Sequence, residues 1–264
     1  MKTIDDRTAP TRRGVLAAFG GLVAGAALGG ATSPALATLR ISHSGLWDTE
    51  YGSLRLHTIG DYIIGDYADR GIVVGAYYSG PRGLHVHGVF TNGAKAGTFD
   101  WRMRGAFLDG TWNFVDGSRR GEWVGNLARP GVPGQMHNFT RSGQPSMITR
   151  NPRTEVDGTY DSTFGRLDLT GRDLMLVGEY ADKGVIAAQW VSNGYEGVFT
   201  NGTRAGWMRW PFLSRDMTPT ETIAGGSEWG WHGQGSSGSW PIQRISQGPI
   251  RTPKWLTPPP TFDN

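Results

Sequence analysis

The chain contains no cysteine, and that single absence removes a disulfide framework, a thiolate nucleophile and a Cys-ligated metal site. Charge is scarce too, at 19% of residues, and most of the formal +3 belongs to the first 37 residues. These hold Lys2, Arg7, Arg12 and Arg13 against Asp5 and Asp6, which leaves 22 basic and 21 acidic side chains in the remainder. The only local basic excess there is Arg102, Arg104, Arg119 and Arg120. A nucleic-acid partner normally requires a concentrated basic face, so none is expected. Helical periodicity is missing beyond the leader, and so are a Gly-x-Ser-x-Gly elbow, a phosphate-binding loop and a dinucleotide fingerprint in a strand-to-helix context. No cofactor and no metal are expected.

What the chain does have is 41 glycines, 11 tryptophans and an internal repeat. Gly88-Val-Phe-Thr-Asn-Gly-Ala-Lys-Ala-Gly97 recurs as Gly197-Val-Phe-Thr-Asn-Gly-Thr-Arg-Ala-Gly206. Gly65-Asp-Tyr-Ala-Asp-Arg-Gly71 recurs as Gly178-Glu-Tyr-Ala-Asp-Lys-Gly184, and Trp47-Asp48-Thr49-Glu50-Tyr51-Gly52 as Tyr160-Asp161-Ser162-Thr163-Phe164-Gly165. The offset falls from 113 to 109 between these matches, placing a four-residue deletion near the counterpart of Ser79–Gly83. A chain that repeats itself in this way is built from two related halves.

Within the first half an apolar-x-Gly-x-aromatic run recurs: Ile63 to Tyr67, Val73 to Tyr77, Val86 to Phe90 and Leu108 to Trp112. Residues at even spacing share a face of a strand, so the apolar residue, the glycine and the aromatic lie on one side. The glycine leaves room for a neighbouring ring to cover the backbone. Turn clusters separate these runs about every ten residues, as in a meander. The expected fold is therefore all-β, an antiparallel meander barrel or sandwich, with seven or eight short strands in the first half. Residues 38–126 form the first repeat, 127–156 a Pro/Gly-rich linker, 157–248 the second repeat and 249–264 an extended C-terminal tail.

The leader orders its regions as Thr11-Arg12-Arg13, an apolar Gly/Ala-rich run to about Gly30, and Ala35-Leu36-Ala37. This is the order of a secretory signal over residues 1–37, with cleavage after Ala37. The paired arginines make it resemble a twin-arginine signal, with departures at Val15 and Ala17 that leave the general secretory route open. Export to the periplasm or beyond is expected, with no integral membrane segment after cleavage.

Several residues are candidates for chemistry, each with a plainer structural role. His85 and His87 lie two apart, so their rings share a face and could share a metal or a proton-transfer task; alternatively both sit on a solvated face, since a metal site needs further ligands and none is recognisably spaced. Asp48 and Asp161 occupy equivalent places after an aromatic and could bind a polar ligand in each half, or shape a turn. Glu122 beside Trp123 and Glu228 beside Trp229 suggest a carboxylate near an apolar ring, and the two Glu-Trp pairs read as counterparts. Trp101 and Trp210 match between the repeats, while Trp229, Trp231 and Trp240 crowd a Gly/Ser-rich segment. Such rings fill cores, or they stack on a ligand.

Gly45-Leu46-Trp47, the alternating strand after it and the repeated apolar-x-Gly-x-Tyr runs resemble the avidin and calycin type of small secreted barrel. That resemblance covers about residues 43–125 and, more loosely, 157–235, and implies a central or end-on pocket for a small, largely apolar ligand. None of that family's ligand-contacting residues is matched by motif here. The expected function is an exported, non-catalytic binder of a small molecule or glycan. A hydrolase, lyase or isomerase using Glu122, Asp48 or His85 and a surface interaction module are the alternatives. The repeated Thr-Asn-Gly reads as hairpin chemistry, with two halves that share a scaffold but not a site.

Overall fold

A computed structural model of the protein describes residues 42–68, 70–80, 82–131, 136, 138–139, 156–172, 174–191, 194–211, 222–223, 226–235, 237–248 and 250–258. The leader, the Pro258-Pro-Pro260 run beyond its first residue and most of the expected linker lie outside the described residues. Among the described residues the only helical element is a single turn at Lys254–Leu256, and no helix is long and apolar enough to cross a membrane.

The first half is a closed eight-stranded antiparallel barrel. Its strands are β1 (Gly45–Thr49), β2 (Gly52–Ile59), β3 (Tyr62–Tyr67), β4 (Gly71–Gly80), β5 (Gly83–Asn92), β6 (Lys95–Arg104), β7 (Phe107–Phe114) and β8 (Arg120–Pro130). Each pairs with the next, and β8 returns to β1 with Trp47 opposite Leu127. Strand β8 therefore runs four residues past the expected end of the repeat. Alternation places Ile63, Tyr67, Val73, Val86, Phe90, Leu108 and Trp123 inside, where they form one buried cluster with Trp47, Leu54, Leu56, Phe99 and Trp101. Burying each such aliphatic or Phe side chain contributes about 1.5–3 kcal/mol. The glycines of the apolar-x-Gly-x-aromatic runs make room for it: a Cβ on Gly88 would collide with Phe99, and one on Gly75 with Val86.

The second half repeats this path through β9 (Gly158–Ser162), β10 (Leu167–Arg172), β11 (Met175–Tyr180), β12 (Gly184–Val191), β13 (Gly194–Asn201) and β14 (Arg204–Pro211). Strand β15 (Thr222–Ile223) is an addition alongside β18. The ring continues through β16 (Glu228–Trp231), and its eighth place is shared by β17 (Ser237–Gly238), paired with β16, and β18 (Ile242–Gln247), paired with β9. Pro241 sits in the break, where a residue without an N–H cannot serve a ladder. Strands β12 and β13 are each two residues shorter than β4 and β5, which accounts for the four-residue deletion.

Strands β3 to β5 and β11 to β13 also carry apolar residues on part of their outer faces, where each barrel packs on the other. Ile64, Ile72, Val74 and Val89 share a core with their counterparts Val177, Val185, Ala187 and Val198. The β6 and β14 starts also pair, Lys95 opposite Arg204, with Ala96 N–H donating to Thr203 C=O and Ala205 N–H to Ala94 C=O. Equivalent residues thus face each other across a local two-fold, as in an isologous dimer interface.

Two segments read from composition as connector and tail belong to this interface. Met136 and Phe139 of the linker are fully buried in it, and Asn138 Nδ2 donates to Ala68 C=O at 2.8 Å and Gly71 C=O at 3.0 Å. Leu256 of the tail is buried there as well, while Lys254 N–H donates to Glu179 and Trp255 Nε1 to Asp182 C=O. Pro and Gly content marks irregular backbone but says nothing of the few apolar side chains that anchor it.

Candidate functional site: an aromatic well in each barrel

The same end of each barrel opens into a well, and the two wells are built from matching positions. In the first barrel Tyr67, Phe90 and Trp123 form the floor, with Tyr51, Trp112 and Phe114 around the wall and Arg70, Asn92 and Arg119 at the rim. In the second, Tyr180, Phe199 and Trp240 form the floor, Phe164, Trp229 and Trp231 the wall, and Lys183 and Asn201 the rim. Eight positions correspond through the repeat offsets and strand registers. Five are identical, Arg70 is matched by Lys183, and Tyr51 and Phe114 are matched by other aromatics.

Local structure explains why the repeated decapeptide lies here. Asn92 and Lys95 are the closing pair of a two-residue hairpin whose first loop residue, Gly93, has φ +58, a conformation that suits glycine. Phe90 points inward two residues before Asn92, and Gly97 lies under its ring. The decapeptide therefore supplies turn, floor ring, rim amide and the bare backbone on which the ring rests. Gly202, Phe199, Asn201 and Gly206 do the same in the second barrel.

The rings pack edge to face. Trp123 is T-shaped to Tyr51, Tyr67, Phe90 and Trp101, and Trp240 to Phe164, Tyr180, Phe199 and Trp210, at 5.0–5.7 Å between centroids. The floor hydroxyls are already engaged: Tyr67 donates to Thr91 C=O at 2.8 Å and Tyr180 to Thr200 C=O at 2.9 Å. Burial first of all pushes both phenols far above their ordinary range, so they remain neutral donors. On the rim, Lys95 lies over Phe114 and pairs with Asp116 at 2.9 Å, while its counterpart Arg204 stacks 3.9 Å from the Trp231 centroid. The cavities measure about 140 Å³ in the first barrel and about 90 Å³ in the second.

No family model matches this chain, and no curated protein or solved structure does either. The wells therefore have to be judged on their own geometry.

The residues singled out from sequence divide sharply. Trp123, Trp229 and Trp231 line the wells, together with Trp240. Trp101 and Trp210 are fully buried in the barrel cores beneath them, where Trp210 Nε1 donates to Trp240 C=O. Asp48 and Asp161 are exposed and line neither well. Glu122 and Glu228 do not share a site with their neighbouring tryptophans, because adjacent strand residues project to opposite faces. The two Glu-Trp pairs are not counterparts either. Strand registers match Trp229 with Trp112, and Trp123 with Trp240.

His85 and His87 do share a face, on the outside of the first barrel. Their Nδ1 atoms lie 3.4 Å from the two oxygens of Asp100, which also accepts from Tyr78 OH at 2.6 Å. Burial pulls the Asp100 carboxyl upward, but the nearby His87 ring and the hydrogen bonds from Tyr78 and His85 outweigh it and hold it below its ordinary value. The equivalent surface of the second barrel has Glu196 and Arg209 3.4 Å apart. Among the described residues no group of three or more His, Asp or Glu side chains could hold a metal ion.

The two halves thus carry matching candidate wells, where the sequence was read as a shared scaffold without a shared site. Tyr51, Tyr67, Arg70, Phe90, Asn92, Trp112, Phe114 and Arg119 were missed in the first half, and Phe164, Tyr180, Lys183, Phe199 and Asn201 in the second. Most of them lie in the three repeated stretches, which was the available signal.

Proposed function

We propose that the protein is an exported, non-catalytic binding protein that takes one small ligand in the well of each barrel. The observation that carries this reading is the position-by-position recurrence of the aromatic well lining, five of eight residues unchanged, while part of the barrel cores has been exchanged. At the far end of the barrels, Trp47 and Leu127 of the first are replaced by Tyr160 and the buried Arg244, which bonds the Tyr160 hydroxyl at 2.9 Å. Packing alone tolerates such exchange of one core solution for another. A ligand that must be met by the same rings twice supports the narrower repetition at the mouths.

The acid and base candidates favour binding over turnover, since Glu122, Asp48 and His85 line neither well. Export rests on the leader sequence. Native mass spectrometry of protein purified from its own periplasm is expected to show up to two copies of one small molecule per chain. Trp112→Ala and Trp229→Ala are each expected to remove one copy. A preparation that carries nothing, and takes up nothing in a ligand screen, would remove the basis of the proposal.

A further inference from the structure

Size, lining and charge together narrow what a well can accept. A cavity of roughly 150 Å³ lined by apolar side chains takes up benzene, and these wells measure about 140 and about 90 Å³. The first is close to that size and the second smaller, so neither has space for more than a single ring. Apart from the charged rim, the lining side chains with polar groups on offer are the rim Asn92 or Asn201 and, in the second well, the indoles of Trp229 and Trp231, since Trp112 and Trp240 already donate and the Trp123 N–H is buried. The tyrosine hydroxyls are committed: Tyr51 to Glu122 C=O, and Tyr67 and Tyr180 to backbone carbonyls. A pyranose would have to leave water with most of its hydroxyls unmatched, a cost that an apolar ring avoids.

The charged side chains that line the wells have one sign. Arg70 and Arg119 line the first well and Lys183 the second, and no carboxylate lines either one. Arg70 and Arg119 have no ion-pair partner among the described residues, and Lys183 Nζ donates only to Phe164 C=O, at 3.2 Å. A cationic ligand is disfavoured twice. The rim repels it, and the outer rings that would attract it, Phe114 and Trp231, are already covered by Lys95 and Arg204.

We infer that each well takes one apolar ring bearing an anionic group, an aromatic carboxylate in the simplest case, with the ring among the wall aromatics and the anion at Arg70 or Lys183. This rests on the reading of the wells as ligand sites. A guanidinium or ammonium at the rim supplies charge-assisted hydrogen bonds to a carboxylate while the ring stays dry.

Calorimetric titration of the full chain with benzoate, benzyl alcohol, benzylammonium and glucuronate tests it. Benzoate is expected to bind at two sites, about tenfold tighter than benzyl alcohol, with benzylammonium weaker still and glucuronate silent. The double variant Arg70→Gln/Lys183→Gln should bring benzoate down to the level of benzyl alcohol without changing the latter. Equal binding of benzoate and benzyl alcohol, a preference for benzylammonium or glucuronate, or binding of none of the four overturns the inference. The site reading fails separately, if benzoate binding is unchanged in a folded Trp112→Ala/Trp229→Ala variant.

Discussion

The two wells hold matching rings whose indoles make different hydrogen bonds. In the first barrel the wall is tied at the mouth, where Trp112 Nε1 donates to the Tyr51 hydroxyl at 3.0 Å and to Glu122 C=O at 3.1 Å. The floor indole below it, Trp123, has a buried N–H with no hydrogen-bond partner among the described residues. The second barrel reverses this. Phe164 replaces Tyr51 and has no hydroxyl to offer, while the floor indole Trp240 donates to Ser162 Oγ at 3.2 Å. Trp231 in place of Phe114 also fills more of the mouth, in keeping with the smaller cavity. The ring arrangement therefore survives whichever polar contact supports it. Beside the shared floor bond from Tyr67 or Tyr180, that identifies the aromatic surface, rather than the indole hydrogen bonds, as what the two wells have in common.

The most disruptive way to break the comparison is to separate the barrels. Phe139 is 1% exposed in the core that both halves share, and Phe139→Ala should cost about 3–5 kcal/mol. If the halves support each other, calorimetry will show one transition moved to lower temperature. Two resolved transitions, one of them at the wild-type temperature, would mean that each barrel stands alone and that the two-fold interface adds little.

Much of this comparison was legible in the sequence, and the reasons for the rest are physical. Glycine spacing gave the strands and their inward faces, because a period of two fixes both from the chain alone. Closure into a barrel was not available, since it depends on β8 reaching β1 across about 80 residues of chain. The wells were half visible: the repeated stretches named Phe90, Asn92 and Tyr67, but reading them as turn chemistry left them without a ligand. Trp229 was misaligned with Trp123 because β17 and β18 split the final strand at Pro241, and the copies lose their common spacing there. The inter-barrel core was hidden for a different reason. Ile72-Val73-Val74 reads as a fully buried strand without revealing that its outer face is covered by a second copy of the same surface.

A finer test addresses the floor indoles. Trp240→Phe removes the hydrogen bond to Ser162 and leaves that hydroxyl one partner short, whereas Trp123→Phe removes a donor that had no acceptor. Both lose ring area, so the difference between them isolates the hydrogen bond. Trp240→Phe should be the more destabilising by about 1 kcal/mol in urea titrations. Equal losses would show that the buried Trp123 N–H is satisfied by the ring faces around it.

The outer surfaces offer the smallest contrast and one that depends on pH. Asp100 is held below its ordinary value by His87, Tyr78 and His85, while the second barrel has Glu196 and Arg209 at the equivalent place. A carboxyl whose folded value is depressed stabilises the folded state above its unfolded value, near 3.8, and loses that contribution as pH falls through the lower folded value. Asp100 is 36% exposed, so solvent screening limits the effect to about 1 kcal/mol or less. Asp100→Asn should therefore lower the urea midpoint at pH 6 and leave it closer to wild type at pH 2.5. A variant that tracks wild type at both pH values would mean that the His–Asp cluster contributes no more to stability than an ordinary solvated surface.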